Sequence, residues 1–353
     1  MREAEALARQ RDDRAQLGQV LSRISWVHRT LGDLNGAIAA GRQALEVAAT
    51  LGDPDVQMAA SYRLGQVYYG VGDFAQAAEL LRQNVERLAR RPPGPVGHSG
   101  WGSAQAWLTL VLSELGEFAE GRRHGEEALR RAAAEGRGDA PIIAHGGLGL
   151  LYPAQGDLEA AVRVLERGLA LCRASGNRDW LRRISAGLGT AYAHAGRLTQ
   201  GLALLEETCR EDVSTGALFM HTSHLTQLSA VELLAGRLAE ASQHACQALD
   251  LARRQKARGY EARALFQLGA VHAHADPPGV QAAEARYREA LTLAEPLGMR
   301  PLQAHCHLGL GTLYAKVGRR EQAWAALSAA IGLYRAMEMT SWLAQAEAAL
   351  AKL

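Results

Sequence analysis

The sequence predicts an all-α, right-handed α-solenoid of about eight helix pairs with a capping helix at its C-terminus. Three observations predict this fold. A short motif recurs along the 353 residues, a turn residue follows each copy at a constant offset, and apolar residues recur at helical spacing on both sides of each turn. Because such units bury their apolar faces only against their neighbours, we expect one domain over residues 1–353.

The recurring motif is Leu-Gly-x-x-Tyr, which starts at Leu64, Leu148, Leu188 and Leu310. The turns lie 40 to 44 residues apart, and the longest step contains the proline-rich residues 91–97. The turn residues are Gly32, Gly72, Gly116, Gly156, Gly196, Gly236, Pro278 and Gly318. They define units at residues 18–57, 58–101, 102–141, 142–181, 182–221, 222–261, 262–303 and 304–343, followed by a capping helix at 344–353.

Each unit contains the signals of two helices. The residue after the turn is acidic in several units and suits the start of a second helix; these residues are Asp33, Asp73, Glu117 and Asp157. A small residue lies five positions past every turn, where it allows the two helices to approach closely. These residues are Ala37, Ala77, Gly121, Ala161, Gly201, Ala241, Ala283 and Ala323.

The composition excludes several classes of function. Lys and Arg number 39 against 37 Asp and Glu, so the formal net charge is +2 and we expect neither a nucleic acid nor a membrane as partner. The N-terminus lacks the apolar core of a secretory signal, and the four cysteines are too far apart for a disulfide framework or a zinc site. These features predict a cytoplasmic protein with reduced thiols.

No catalytic motif is present in the sequence. None of the three lysines follows a glycine, so a P-loop is absent, and the glycines at 147–149 and 309–311 lie inside predicted helices instead of after a strand. Residues 97–100 miss the spacing of a nucleophile elbow. His221 and His224 lack the further ligands of a metal site, so we interpret them as core or surface residues. We therefore expect no enzyme, no cofactor and no bound metal.

The motif and the small residue after the turn resemble the tetratricopeptide repeat, although the period is 40 instead of 34 and the leading Trp and final Pro are missing. Forty-residue copies of this kind resemble the C-terminal repeats of signal-transduction ATPases with numerous domains, which include maltose-regulator-like activators and class III adenylate/guanylate cyclases. The cyclase group is the more similar one. The resemblance lies in residues 44–45, 51–53, 115–121, 165–172, 297–311 and 334–339.

The resemblance implies that the chain is the C-terminal part of such a protein and that its binding surface is the concave face lined by the first helices. On that face, aromatic residues concentrate in the N-terminal units, while Arg and His recur in the C-terminal half. This distribution suits an extended segment with apolar anchors and a carboxylate or phosphate group. The candidate residues are Trp26, Arg29, Tyr62, Gln66, Tyr69, Leu110, Arg183, His194, Arg263, Phe266, His274 and His305.

The sequence thus leads to two hypotheses of function. The first is a non-catalytic scaffold that recognises a protein or peptide partner along its groove, as a regulatory module of a bacterial signalling protein. In the second, the chain is a small-ligand sensor that controls an ATPase, a cyclase or a transcription activator, with a metabolite in the superhelix interior. A saturable, stoichiometric metabolite in the purified chain would favour the second.

Overall fold

The computed structural model describes residues 2–90, 99–135 and 138–353, so the proline-rich loop at 91–97 and His98 lie outside the described residues. Within these ranges the chain forms eighteen α-helices and no strand. In chain order the helices are α1 Arg2–Gln10, α2 Arg14–Thr30, α3 Leu34–Leu51, α4 Pro54–Val71, α5 Phe74–Ala89, α6 Ser99–Leu115, α7 Phe118–Glu135, α8 Ala140–Gln155, α9 Leu158–Ser175, α10 Arg178–His194, α11 Leu198–Thr215, α12 Leu218–Leu234, α13 Leu238–Gln255, α14 Arg258–His274, α15 Val280–Ala294, α16 Arg300–Lys316, α17 Arg320–Ala336 and α18 Thr340–Leu350.

Helices α2 to α17 form eight consecutive pairs, with α1 before them and α18 after them, which confirms the predicted all-helical solenoid. The first helix of each pair begins two to four residues before the unit boundary expected from the sequence. Helix-capping side chains explain several of these earlier starts. Asp13, Asp53 and Asn177 each accept hydrogen bonds from backbone N–H groups of the first turn of the helix that follows.

The turns within the pairs have the expected chemistry. Asp33, Asp73 and Asp157 each accept a hydrogen bond from the backbone N–H three residues on, at 2.9 to 3.2 Å, and thereby cap the second helix. All seven turn glycines adopt φ between +73° and +97°, a backbone conformation that residues with a Cβ rarely adopt. The turn motif therefore ends one helix and begins the next.

The small residue of each second helix lies at the closest approach of the pair. A Cβ on Gly201 would come within 2.5 Å of the Gly189 carbonyl oxygen. In two units that lack the Leu-Gly-x-x-Tyr motif, a serine replaces the motif's glycine and contacts the backbone of the small residue in the second helix. Ser25 donates to the carbonyl of Ala37 at 2.7 Å, and Ser229 donates to that of Ala241 at 2.6 Å. In these two units, a buried hydrogen bond thus holds the two helices of the pair together.

The superhelix closes on itself after five pairs. The C-terminal ends of α2, α4 and α6 contact α12, α14 and α16, and the turn after α8 meets the start of α18. At one of these contacts the backbones of Gly72 and Gly259 touch; at another, Ser341 donates to the Gly156 carbonyl at 3.4 Å. We call this set of contacts the closure. It brings the two sides of the inner face of the first helices together around a partly open interior.

Candidate functional site

The interior holds two adjoining cavities, of about 430 and 660 Å³. Arg183 and Met220 line both of them. The smaller, called here the His305 cavity, is lined among others by Tyr69, Glu114, Arg183, His194, His224, Arg263, His305 and Trp342. The larger, called the Trp107 cavity, is lined among others by Trp26, Arg29, Tyr62, Arg63, Trp107, Trp180, Arg182, Arg183 and Phe219.

The structure brings together ten of the twelve candidate residues in these cavities. Those in the His305 cavity are Tyr69, Leu110, Arg183, His194, Arg263 and His305, and those in the Trp107 cavity include Trp26, Arg29, Tyr62 and Gln66. The other two line neither cavity. His274 is exposed at the end of α14, where its Nδ1–H donates to the Ala270 carbonyl, and Phe266 packs against the rings of Tyr287 and His305.

Tyr69 belongs to the core as well as to the cavity wall. We expected an open groove position, but only 9% of this residue is exposed, because its ring packs edge-to-face on Phe74 and Trp107 at 5.6 Å. Its hydroxyl donates to the Glu114 carboxylate at 3.4 Å. Burial, followed by the negative charge of Glu114, raises the pKa of Tyr69 well above its ordinary value. Its removal would therefore affect stability as well as binding.

Arg263 forms an ion pair with Glu114 across the interior. The two residues lie on α14 and α6, 149 positions apart, so the pair links the two sides of the closure. From the sequence we expected Arg263, like Arg183, to be a cation for a ligand, and we did not predict its partner Glu114. Since Arg263 has a carboxylate partner of its own, it is the less suitable cation of the two.

The buried Trp107 ring lies in the wall of the larger cavity, and we did not predict it from the sequence. The guanidinium carbons of Arg29 and Arg183 lie 5.8 and 4.8 Å from the centre of this ring, and Trp180 packs on it edge-to-face at 6.1 Å. A signal was present in the sequence. Trp107 lies nine residues before its turn, where three other units have a glycine: Gly147, Gly187 and Gly309.

Asp212 is a second residue near the cavities that we did not predict from the sequence. This carboxylate is fully buried between α11 and α12 and accepts hydrogen bonds from Nδ1 of His224 at 2.7 Å and of His221 at 3.3 Å. Arg182 forms an ion pair with its other oxygen at 3.3 Å. Burial alone would raise the pKa of Asp212, but the hydrogen bonds from the histidines outweigh it, and the pKa is lowered.

The two histidines that we interpreted as core or surface residues are therefore buried hydrogen-bond partners of one carboxylate. Among the residues whose side chains the structure describes, no three His, Cys, Asp or Glu groups come together in a way that could hold a metal ion. The sequence did contain a signal for Asp212. Sixteen residues past the turn, other units have a small apolar residue, as at Ala48, Ala132 and Ala252.

His305 is held neutral in the wall of the smaller cavity. Its Nδ1 forms a hydrogen bond of 2.7 Å with the Tyr334 hydroxyl, and its ring packs on Trp342 at 4.6 Å. Burial, with smaller contributions from Arg263 and His194, lowers the pKa of His305 to about 3. A neutral imidazole at this place leaves the smaller cavity less basic than its composition suggests.

Replacing His305 with glutamine is expected to reduce the acid sensitivity of the fold. The pKa of His305 is lowered on folding, so below pH 6.5 the unfolded chain binds a proton that the folded chain does not, and stability falls by up to about 1.4 kcal/mol per pH unit. Between pH 7 and pH 4.5, the wild type should lose roughly 2 to 3 kcal/mol more than His305→Gln. Urea unfolding at both pH values measures this difference, and equal losses would contradict the assignment.

Comparisons with known proteins agree with the fold. The tetratricopeptide repeat family profile matches residues 103–174, which span α6 to α9, whereas a search of curated protein sequences finds no match. No described helix is long and apolar enough to cross a membrane.

Two solved Rap proteins share the architecture over nearly their whole length. The Rap conjugation gene regulator of plasmid pLS20, solved with the Phr* peptide, has a TM-score of 0.61 at 13% identity, covering 92% of this chain and 98% of that one. A Rap protein complexed with Competence and Sporulation Factor has a TM-score of 0.60 at 10% identity, with 96% and 97% covered.

A third structure belongs to a signal transduction ATPase with numerous domains from Pyrococcus horikoshii, which carries a tetratricopeptide repeat sensor. Its TM-score is 0.50 at 14% identity, and the match covers 95% of this chain but 49% of the ATPase. At these identities the likeness concerns the fold. Together with the repeat motif and the eight helix pairs, the comparisons lead to one conclusion: the chain is a tetratricopeptide-like repeat protein.

Proposed function

We propose that the chain is a non-catalytic regulatory scaffold that recognises a peptide, or an extended segment of a protein, inside its superhelix. The observation that carries this proposal is the pair of adjoining cavities, which share Arg183 and run along the inner face. The Rap structures support it, since one was solved with the Phr* peptide and the other with Competence and Sporulation Factor. We propose that the protein acts in the cytoplasm, as a module of a bacterial signalling system.

The chemistry of the walls suits a peptide. Trp26 and Tyr62 are partly exposed and offer aromatic surface to apolar side chains, and such anchors in desolvated pockets supply most of the affinity at typical interfaces. Polar groups such as Ser223 and Gln227 line the smaller cavity, where they can pair with backbone amides and carbonyls. An elongated ligand would contact both sets at once.

A small-ligand sensor is the second candidate, and the size of the cavities favours it. Each cavity falls within the range of roughly 300 to 1,000 Å³ that is usual for small-molecule sites. In this case the ligand would be a metabolite that fills one cavity, and the chain would control an ATPase, a cyclase or a transcription activator. The two proposed functions therefore differ in the size of the ligand: a peptide would contact both cavities, whereas a metabolite would fill one.

A cavity-filling substitution tests the peptide proposal. Ser223 on α12 lines the smaller cavity, whereas Gln243 on α13 is exposed, so Ser223→Trp and Gln243→Trp add the same side chain inside and outside. Peptides from an extract that are retained by the immobilised chain are identified by mass spectrometry, synthesised and titrated calorimetrically. We expect one site per chain and at least about tenfold weaker binding to Ser223→Trp, a loss of about 1.4 kcal/mol. Gln243→Trp should bind as the wild type does.

Other outcomes separate the alternatives. A peptide that binds Ser223→Trp as tightly as the wild type would place its site outside the smaller cavity and contradict the proposal. If the wild type retains a stoichiometric metabolite and no peptide, the sensor function replaces it. Circular dichroism of both variants establishes that the comparison is made between folded chains.

A further inference from the structure

Two buried arginines in the Trp107 cavity have no anionic partner. Arg29 and Arg183 are only 7% and 8% exposed, and neither forms an ion pair within the part of the chain that the structure describes. The Nε of Arg29 is buried and makes no hydrogen bond to a described residue. Since taking a charged group out of water costs several kcal/mol, buried arginines are normally paired with an acid.

The other two arginines of this cavity differ from Arg29 and Arg183, since Arg182 is paired with acids and Arg63 is only partly buried. Arg182 forms ion pairs with Asp179 at 3.1 Å and with Asp212 at 3.3 Å. Arg63 donates a hydrogen bond to the side-chain oxygen of Gln66 at 3.2 Å. The acids that line the cavity are Asp139 and Asp179, and the contacts of the described residues connect neither of them to Arg29 or Arg183.

Arg29 and Arg183 contact the faces of aromatic rings instead of a carboxylate. Both guanidinium groups lie within 6 Å of the Trp107 ring centre; Arg29 also lies 5.2 Å from that of Phe219, and Arg183 lies 5.7 Å from that of Trp180. The attraction of a cation to an aromatic ring is weaker than the cost of desolvating the charge. The rings thus fix the positions of the two cations without neutralising them.

The two charges also repel each other. Burial lowers the pKa of Arg29 to about 10, and the positive charge of Arg183 is the next largest cause, followed among the cations by Arg63. Like charges held together in a low-dielectric cavity make a strong positive potential, which an anion entering the cavity would relieve. The empty site is therefore less stable than the occupied one.

We propose that Arg29 and Arg183 form an oxyanion-binding site over the Trp107 ring, which takes a carboxylate or phosphate group of the ligand. This inference deepens the proposed function and rests on it, because the oxyanion is carried by the molecule that fills the interior. A planar guanidinium can donate two parallel hydrogen bonds to a carboxylate or phosphate, and the ring contacts hold both groups in place for this purpose. Trp26 and Tyr62 lie in the same cavity and contact the apolar part of the ligand.

The test uses simple anions, so it does not depend on the peptide. The full chain is titrated with inorganic phosphate and, separately, with succinate, while sodium chloride keeps the ionic strength constant. The fluorescence of the six tryptophans, of which Trp26, Trp107 and Trp180 line this cavity, reports on anion binding, and the thermal midpoint reports on stabilisation. We expect a saturable response to at least one anion. Tighter binding of phosphate assigns the site to a phosphorylated ligand, and tighter binding of succinate to a carboxylate.

The variants Arg29→Met and Arg183→Met keep the length of the side chain and remove its charge. Each should weaken anion binding by at least about tenfold, a loss of about 1.4 kcal/mol, because a charged hydrogen-bonding group is removed. Without ligand, both variants should unfold at the same or a higher denaturant concentration than the wild type, because an unpaired buried charge has been removed. Arg254→Met on the exposed end of α13 is the matched control and should change neither property.

Three results would overturn the inference: no saturable response to either anion, an unchanged response in both variants, or variants whose main effect is a loss of stability. The last would mean that the arginines serve the packing of the cavity. If these results accompany peptide binding inside the smaller cavity, the oxyanion site fails while the proposed function stands. If anions bind as expected and no peptide is captured, the site stands and the peptide function fails.

Discussion

Replacing Gly72 with alanine is expected to lower the free energy of unfolding by about 3 kcal/mol and to loosen the closure. The backbone has φ of +90° at this turn, and an alanine in the left-handed region costs about 1 to 2 kcal/mol. The added Cβ would also lie 2.7 Å from the backbone nitrogen of Gly259 and 3.2 Å from its Cα. Because backbone atoms cannot rotate away, this overlap adds about 1 to 3 kcal/mol or separates α4 from α14.

Gly196→Ala is the matched control for this substitution. Gly196 lies at the same turn position with φ of +82°, but a Cβ there has no atom within 4 Å, so only the conformational cost applies. Urea unfolding followed by circular dichroism gives the two free energies, and small-angle scattering gives the radius of gyration. We expect the larger loss and the larger radius for Gly72→Ala. Equal losses and an unchanged radius would mean that the closure does not form in solution.

The contacts of the closure could not be predicted from this sequence. The eight pairs were predictable, because each unit repeats the same local signals and each contact between neighbours follows from them. Contacts between units five pairs apart have no such signal. The pair of Glu114 and Arg263 depends on the summed rotation of all the units between them, and a small change per unit would separate the two residues.

The candidate site was predictable in outline for the same reason. Counting along each first helix placed ten of the twelve candidates in the cavities, although neither the burial of Tyr69 nor the neutralisation of Arg263 follows from that count. Trp107 and Asp212 were missed because we searched for residues that fit the repeat. Both differ in size or charge from the residues at their repeat position, and that departure is the more informative signal in a degenerate array.

Asp212→Asn is expected to cost about 3 to 5 kcal/mol, since it removes the charge that compensates Arg182 in a fully buried place and turns an NH2 group toward either Arg182 or the two histidine N–H groups. The pH dependence follows from the lowered pKa of this carboxyl. The contribution of Asp212 is present above its unfolded pKa of 3.8 and is lost as the pH falls through the lower folded value. The contribution of the Asp212 charge to the difference between wild type and variant should therefore shrink below about pH 4.

Asp179→Asn separates the effect of burial from that of the ion pair, because Asp179 contacts the same arginine at 3.1 Å while 69% of its side chain is exposed. An exposed pair contributes about 0 to 1 kcal/mol, so this variant should unfold almost as the wild type does. Urea unfolding of both variants at several pH values provides the comparison. Similar losses for the two would mean that Arg182, and not the buried carboxylate, determines the stability of the cluster. A large loss of stability for Asp212→Asn alone would instead mean that the Asp212 carboxylate holds α11 and α12 together beside the two cavities. This is the one unit in which a charged residue replaces the uncharged residue found at this position of the repeat.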